Sequence, residues 1–318
     1  MTDVYQQLAE AVGAPDSPTI PRIFQVLADE AEARLLLAAS PPATVEELAE
    51  RSGLDAGEVE RMIDPLFTKG LLFKSKKPDG VRYYRVRHLM QLHDSTAVAL
   101  DPPADLLPLW KRFMDEEWDD FSRKLEEILP ASVLRVVPVG VTIEPESRVL
   151  GFEDVRAMVT EAGSLAVTRC SCRAIDGACG KPLEVCIQLD RAADYALERG
   201  TGRPLSADEA IEMLEMCERE GLVHVAENKR SRGLVICNCC KDCCVNWASV
   251  RTGLGKFAAP SRFRAAVDAD ACNGCEDCLE RCFFDALEMD EDARVAKVHD
   301  ERCMGCGLCQ IACDPVAI

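Results

Sequence analysis

Apolar positions recur at helical spacing through much of the first half of the chain. From Pro21 to Ala38 they fall at Ile23, Phe24, Leu27, Ala31, Leu35 and Ala38, which predicts a helix with one buried stripe. A second helix is expected from Thr44, because Glu47 three residues on completes a capping box in which each side chain satisfies an orphan backbone donor. A third opens at Asp55, runs through Val59, Met62, Ile63 and Leu66, and stops at Gly70. The period then becomes alternating over residues 71–86, and a Pro78-Asp79-Gly80 turn makes this a hairpin. Asp101-Pro102-Pro103 and Pro108 break the pattern. Beyond them Leu109, Phe113, Trp118, Phe121, Leu125 and Leu129 predict an amphipathic packing helix, with Trp110 and Trp118 as core anchors. Farther on, Ser206 and Glu209 cap a helix that ends at Gly221 and carries Cys217 as an ordinary core residue.

The succession of helices and hairpin over about residues 20–90 resembles a winged helix of the kind found in many bacterial regulators. In such a domain the third helix reads the DNA groove. Here it carries Asp55, Glu58, Glu60 and Asp64 against Arg61 and Lys69. The hairpin is the reverse: Lys74, Lys76, Lys77, Arg82, Arg85 and Arg87 face a single acid, Asp79, and suit phosphate contacts. The acid-lined helix and a net charge of −18 weigh against DNA and towards a structural or protein-docking module.

Composition changes the picture through one residue type. There are 18 cysteines, more than the 10 Phe, 4 Tyr and 3 Trp together, and all lie from Cys170 onward. The opening MTDVYQQLAEAVG has neither a basic start nor an apolar core, and no apolar run approaches the roughly 18 residues of a membrane span. The expectation is therefore a cytoplasmic protein without membrane insertion, in a reducing compartment where thiols serve metal or redox chemistry rather than disulfides. Sulfur and charge together divide the chain into a helical domain over 1–100, a helical connector over 101–166, a cysteine-rich α/β middle over 167–260 and a short C-terminal module over 261–318. The expected fold class is multi-domain α+β.

The C-terminal module repeats itself at an offset of 31 residues, CNGCEDCLERC from Cys272 and CMGCGLCQIAC from Cys303. Three sulfurs within seven residues, with Gly274 or Gly305 easing the turn, can wrap three corners of an iron–sulfur cube. The spacing resembles that of the two-cluster bacterial ferredoxins, in which the fourth Cys of each motif ligates the other cluster. That resemblance implies Cys272, Cys275, Cys278 and Cys313 for cluster one, and Cys303, Cys306, Cys309 and Cys282 for cluster two. The usual proline after the fourth Cys is replaced by Phe283 in the first copy and by Asp314-Pro315 in the second. Zinc sites more often pair two CxxC units across a spacer. The acids Glu276, Asp277, Glu280, Asp285, Glu288, Asp290, Glu291 and Asp292 suit docking to a basic patch on a redox partner, or form a solvated face.

Nine further thiols fall in two short segments: Cys170, Cys172, Cys179 and Cys186, then Cys237, Cys239, Cys240, Cys243 and Cys244. They are too many for core packing. The expectation is that the two segments converge on a third metal centre, iron–sulfur in first place and zinc in second, with a dithiol/disulfide switch as the competing reading. Vicinal pairs such as Cys239/Cys240 and Cys243/Cys244 cannot easily place both sulfurs on one small ion, so the ligand set stays open. Over its whole length the chain resembles a group of four-iron-four-sulfur dicluster proteins of anaerobes, in the segments Cys170-Ser171-Cys172-Arg173 and Ile236-Cys237-Asn238-Cys239-Cys240 and the two ferredoxin motifs. This implies an electron-transfer accessory protein serving an anaerobic oxidoreductase. Two alternatives stand beside it: a regulator whose cluster state controls DNA binding, and a reductive activase using the middle cysteines. His88, His93, His224 and His299 are scattered, and no phosphate loop, dinucleotide fingerprint or nucleophile elbow is present.

Overall fold

The computed structural model describes residues 3–78, 80–140 and 154–318. Asp79 of the expected hairpin turn and residues 141–153 of the expected connector lie outside the described residues. The chain divides into two compact units. The first takes residues 1–121 with 171–177 and 198–201, and the second takes 122–170, 178–197 and 202–318.

The first unit begins with helices α1 (Val4–Ala11), α2 (Ile20–Leu27), α3 (Glu30–Ala38), α4 (Val45–Ser52) and α5 (Ala56–Lys69). The antiparallel hairpin β1 (Leu72–Lys77) and β2 (Gly80–Arg85) follows, with Leu72 opposite Arg85 and Lys77 opposite Gly80. Next come α6 (Leu89–Thr96), α7 (Leu106–Glu116) and the start of α8 (Trp118–Ile128). The capping boxes expected at Thr44/Glu47 and the stop at Gly70, φ +79°, are present.

Two expected helices are broken. The stripe from Pro21 to Ala38 is split because Ala28 is extended (φ −142°, ψ 138°) and Asp29 caps a fresh helix by a reciprocal bond with Glu32. An apolar stripe persists across such a break, so spacing alone does not reveal it. The helix expected over Leu109–Leu129 is likewise interrupted at Glu117, whose carboxylate accepts the Ser17 hydroxyl. Trp110, Phe113, Trp118 and Phe121 then pack ring on ring across the break, at centroid separations of 5.7–6.4 Å.

The second unit is built on a seven-stranded sheet. Its strands are β3 (Leu134–Val136), β4 (Leu165–Arg169), β5 (Glu184–Leu189), β6 (Gly202–Pro204), β7 (Val223–Glu227), β8 (Val235–Cys239) and β9 (Ala258–Ala259), in the order β6-β4-β5-β8-β7-β3-β9. All neighbours are antiparallel except β3 and β9. Thus a piece of the stretch expected as a helical connector supplies an inner strand, too short at three residues to show alternation. The accompanying helices are α9 (Val155–Thr160), α10 (Ser171–Asp176, in the first unit), α11 (Arg191–Glu198), α12 (Ala207–Arg219) and α13 (Val245–Arg251).

Alternation along the strands gives the sheet two different faces. On one, Ile187, Leu189 and Ile236 are buried with Val155, Met158 and Val159 of α9 and Ala210 and Leu214 of α12. On the other, Val136, Val223, Val225 and Cys239 are buried with Trp247 of α13 and with Phe283 and Leu308 from the C-terminal segment. That segment holds α14 (Asp277–Arg281), the hairpin β10 (Leu287–Asp290) with β11 (Val295–Val298), and α15 (Leu308–Ile311). No helix among the described residues is long and apolar enough to cross a membrane.

Candidate metal centres

In the C-terminal segment the two repeats build matching local geometry. Gly274 (φ +71°) and Gly305 (φ +65°) hold the loop in the left-handed region, and Glu276 (φ +70°) and Gly307 (φ +84°) do so again just before α14 and α15. At Gly274 a Cβ would stand 2.7 Å from the Arg294 carbonyl oxygen, and at Gly305 it would collide with Phe263 O and Ser261 Oγ. Glycine is therefore required by close backbone approach as well as by torsion. Each short helix carries its fourth Cys away from the loop. There Cys282 Sγ accepts from Ala286 N–H and Cys313 Sγ accepts from Ala317 N–H, both at 3.2 Å.

The chain crossing matters most for the thiols. Cys272, Cys275 and Cys278 line one cavity together with Cys313 of the second repeat, walled by Met289, Ala296 and Ile318. Cys303, Cys306 and Cys309 line another together with Cys282 of the first repeat. Each site thus takes three sulfurs from one motif and the last from the other. Burial raises the Cys278 thiol, with the nearby Cys313 sulfur adding to the effect, and burial pushes Cys306 and Cys309 up to about 12. Thiols that burial holds protonated, Cys278 in the first quartet and Cys306 and Cys309 in the second, need a cation to become thiolates. A soft, thiolate-bound iron–sulfur group meets that need, and the backbone N–H groups aimed at sulfur are the donors that tune such a group. The residues present therefore fit it.

Phe283, which stands where the ferredoxin pattern has proline, is buried edge-on against Trp247 at 5.4 Å between centroids. The segment is held to the rest of its unit by backbone bonds from Val139 N–H to Cys306 O (2.8 Å) and from Ser261 N–H to Met304 O (3.0 Å). Of the eight acids expected as a docking face, Asp285 pairs with Lys241, Asp290 with Lys297 and Glu288 with His299. Glu276, Asp277, Glu280, Glu291 and Asp292 stay exposed.

The middle cysteines are sorted by the sheet. Cys179, Cys240 and Cys243 place their three sulfurs within 4.8 Å of one another, and Cys170 packs against the same apolar group, whose walls are Val185, Cys217 and Leu222. On the opposite face Cys239 shares side-chain hydrogen bonds with Cys237 and Cys244. Those bonds first, and burial next, hold the Cys239 thiol well above its ordinary range, while burial with the neighbouring Cys179 raises Cys243. Each vicinal pair is therefore divided: Cys239, the last residue of β8, from Cys240 just beyond it, and Cys243 from Cys244 as the chain turns into α13. Cys186, on β5, accepts from Gln188 Nε2 at 3.2 Å. Cys172 lies on α10, in the first unit.

One feature near these thiols has no signature in the sequence. His224 and Glu218 are both fully buried and meet at 3.3 Å, and the other imidazole nitrogen meets Asn238 Oδ1 at 2.6 Å. Asn238 in turn donates to Val185 O at 2.6 Å. This polar thread joins β5, β7, β8 and α12. The pairing of His224 opposite Asn238 follows from strand register, which isolated residues do not disclose.

The family model of the 4Fe-4S dicluster domain matches residues 271–317. The C-terminal segment is accordingly a ferredoxin-type iron–sulfur module, and the match supports 4Fe-4S binding and an iron–sulfur electron-transfer role. No curated protein and no solved structure matches the chain.

Proposed function

We propose that the protein relays single electrons to or from an oxidoreductase partner, using two 4Fe-4S clusters in its C-terminal module and a third thiolate centre in its middle. The observation that carries this reading is the pair of cavities, each lined by three thiols of one repeat and the fourth thiol of the other. When bound, such groups supply one-electron exchange near four thiolate ligands. Cys272, Cys275, Cys278 and Cys313 would hold one and Cys282, Cys303, Cys306 and Cys309 the other. Met289, Ala296 and Ile318 give the first quartet an apolar wall, while Cys275 is exposed; an apolar surrounding disfavours extra negative charge, which lowers the potential. The N–H groups of Ala286 and Ala317 oppose that effect at one sulfur of each quartet.

For the third centre the supporting observation is the thiol triplet Cys179, Cys240 and Cys243, with Cys170 packed against the same group as the fourth ligand. The acids left exposed, Glu276, Asp277, Glu280, Glu291 and Asp292, fit a partner with a basic docking patch. In the winged-helix-like region, by contrast, three of the six hairpin cations are engaged: Lys74 with Glu198, Arg82 with Glu47, and Arg85 with the carbonyls of Ala11 and Val86. This favours a structural or docking role for that region.

Anaerobic EPR during a redox titration, with iron counted in the same sample, tests the reading. The reduced protein is expected to give the broadened signals of two interacting four-iron clusters. Their absence from a sample with full iron content overturns it.

A further inference from the structure

We infer that the middle of the chain holds two thiolate centres rather than one, the second being a 4Fe-4S site built from Cys186, Cys237, Cys239 and Cys244. This deepens the electron-transfer reading above and rests on it for the class of cofactor.

Cys237 and Cys239 are two apart on β8, so both side chains emerge on one face of the sheet. Cys244, the residue before α13, completes the group, since Cys239 hydrogen-bonds to both of the others. The fourth member comes from strand pairing. Ile187 of β5 lies opposite Ile236 of β8, the last pair of that ladder, and Cys186 and Cys237 are the next residue on each strand, both on the face opposite Ile187 and Ile236. The bond from Asn238 Nδ2 to Val185 O keeps the two strands together at that end. These four thiols are distinct from Cys170, Cys179, Cys240 and Cys243, which lie on the face covered by α12.

Two further observations point to a bound group. Trp247 is fully buried in the same packed cluster as Cys239 and Cys244, yet its indole N–H has no acceptor among the described residues. A buried indole N–H ordinarily finds a partner, and the sulfur of a thiolate-bound cluster supplies one. Cys306, from the second ferredoxin quartet, packs on that same cluster of residues. The proposed site therefore adjoins the C-terminal module on one side. On the other, Cys239-Cys240 and Cys243-Cys244 each give one sulfur to either middle centre, across Cα atoms only about 3.8 Å apart. Binding replaces four thiol protons by one cluster, so four protons leave per site.

Iron and sulfide counting on the full-length, anaerobically reconstituted chain, with native mass spectrometry of the same sample, decides the matter. About sixteen irons are expected in the unaltered chain, as four four-iron groups. Cys237→Ser/Cys239→Ser is expected to lose about four of them, and Cys179→Ser/Cys240→Ser about four others. Cys172→Ser should lose none. About twelve irons in the unaltered chain, unchanged by Cys237→Ser/Cys239→Ser, overturns the inference and leaves the electron-transfer reading standing. A zinc ion in place of the four irons, lost in Cys237→Ser/Cys239→Ser, also overturns it. Fewer than about eight irons defeats the electron-transfer reading itself. The count on the unaltered chain needs no variant to fold, and the single variant Cys186→Ser repeats the test at the β5 side of the site.

Discussion

Arg281 Nη2 donates to the main-chain carbonyl of Glu218 at 2.5 Å, and to that of Arg219 at 2.6 Å. One residue of the ferredoxin-type module, placed between Cys278 and Cys282, thereby closes the C-terminal end of α12, the helix that covers the Cys179/Cys240/Cys243 group. The Glu218 carbonyl already accepts from Gly221 N–H at 3.1 Å, so the guanidinium adds a second donor there and one to Arg219 O, while opposing the negative end of the helix dipole.

Removing that contact should cost stability without touching a thiol. Arg281→Ala is expected to destabilise the metal-loaded protein by about 1–3 kcal/mol, the usual value of hydrogen bonds from a charged donor. Arg281→Lys should recover only part of it, because an ammonium cannot span two carbonyls in a planar fork. Thermal denaturation with iron content held constant reads the difference.

Gly305 and Gly180 separate backbone strain from collision. Both have positive φ, +65° and +63°, but a Cβ at Gly180 meets open space whereas one at Gly305 strikes Phe263 O and Ser261 Oγ. Gly180→Ala should cost about 1 kcal/mol, from the left-handed torsion alone. Gly305→Ala should cost more and, since it displaces the loop between Cys303 and Cys306, should lower iron content by about four per chain. Equal effects of the two substitutions would contradict this account.

The raised thiols predict how the iron-free protein responds to pH. Burial pushes Cys306 and Cys309 up to about 12 when folded, against roughly 8.5 for an unfolded thiol. The folded state thus keeps protons that the unfolded state releases above about pH 8.5, so this contribution is complete below that pH and is lost as pH rises towards 12. The melting temperature of the iron-free protein should therefore fall between pH 8 and pH 10, with a shallower fall in Cys309→Ser. In the iron-loaded protein these ligands are already thiolates, and they contribute no such slope.

Nucleic acid provides a negative control for the first unit. With Lys74, Arg82 and Arg85 engaged internally and a net charge of −18, no retardation of duplex DNA is expected, even at the low salt that maximises phosphate attraction. A shifted band at low protein concentration would revive the regulatory reading.

Local signals carried a good deal of the structure. The Thr44/Glu47 and Ser206/Glu209 boxes and the Gly70 stop were readable because each depends on residues within one turn of helix. The breaks at Ala28 and Glu117 were not, because an apolar stripe tolerates a change of axis. Likewise β3 was hidden in three residues whose strand character depends on β7 and β9.

The cysteines show the same division most clearly. Spacing within each CxxCxxCxxxC motif is a short-range property of the chain, and it alone specified an iron–sulfur module and the number of thiols near each turn. Which sulfurs face each other is a long-range property. At the end of β8 Cys239 and Cys240 turn to opposite faces, and the β5–β8 pairing ends one residue before Cys186 and Cys237. Only the folded sheet, by fixing both, could divide the middle thiols into two groups.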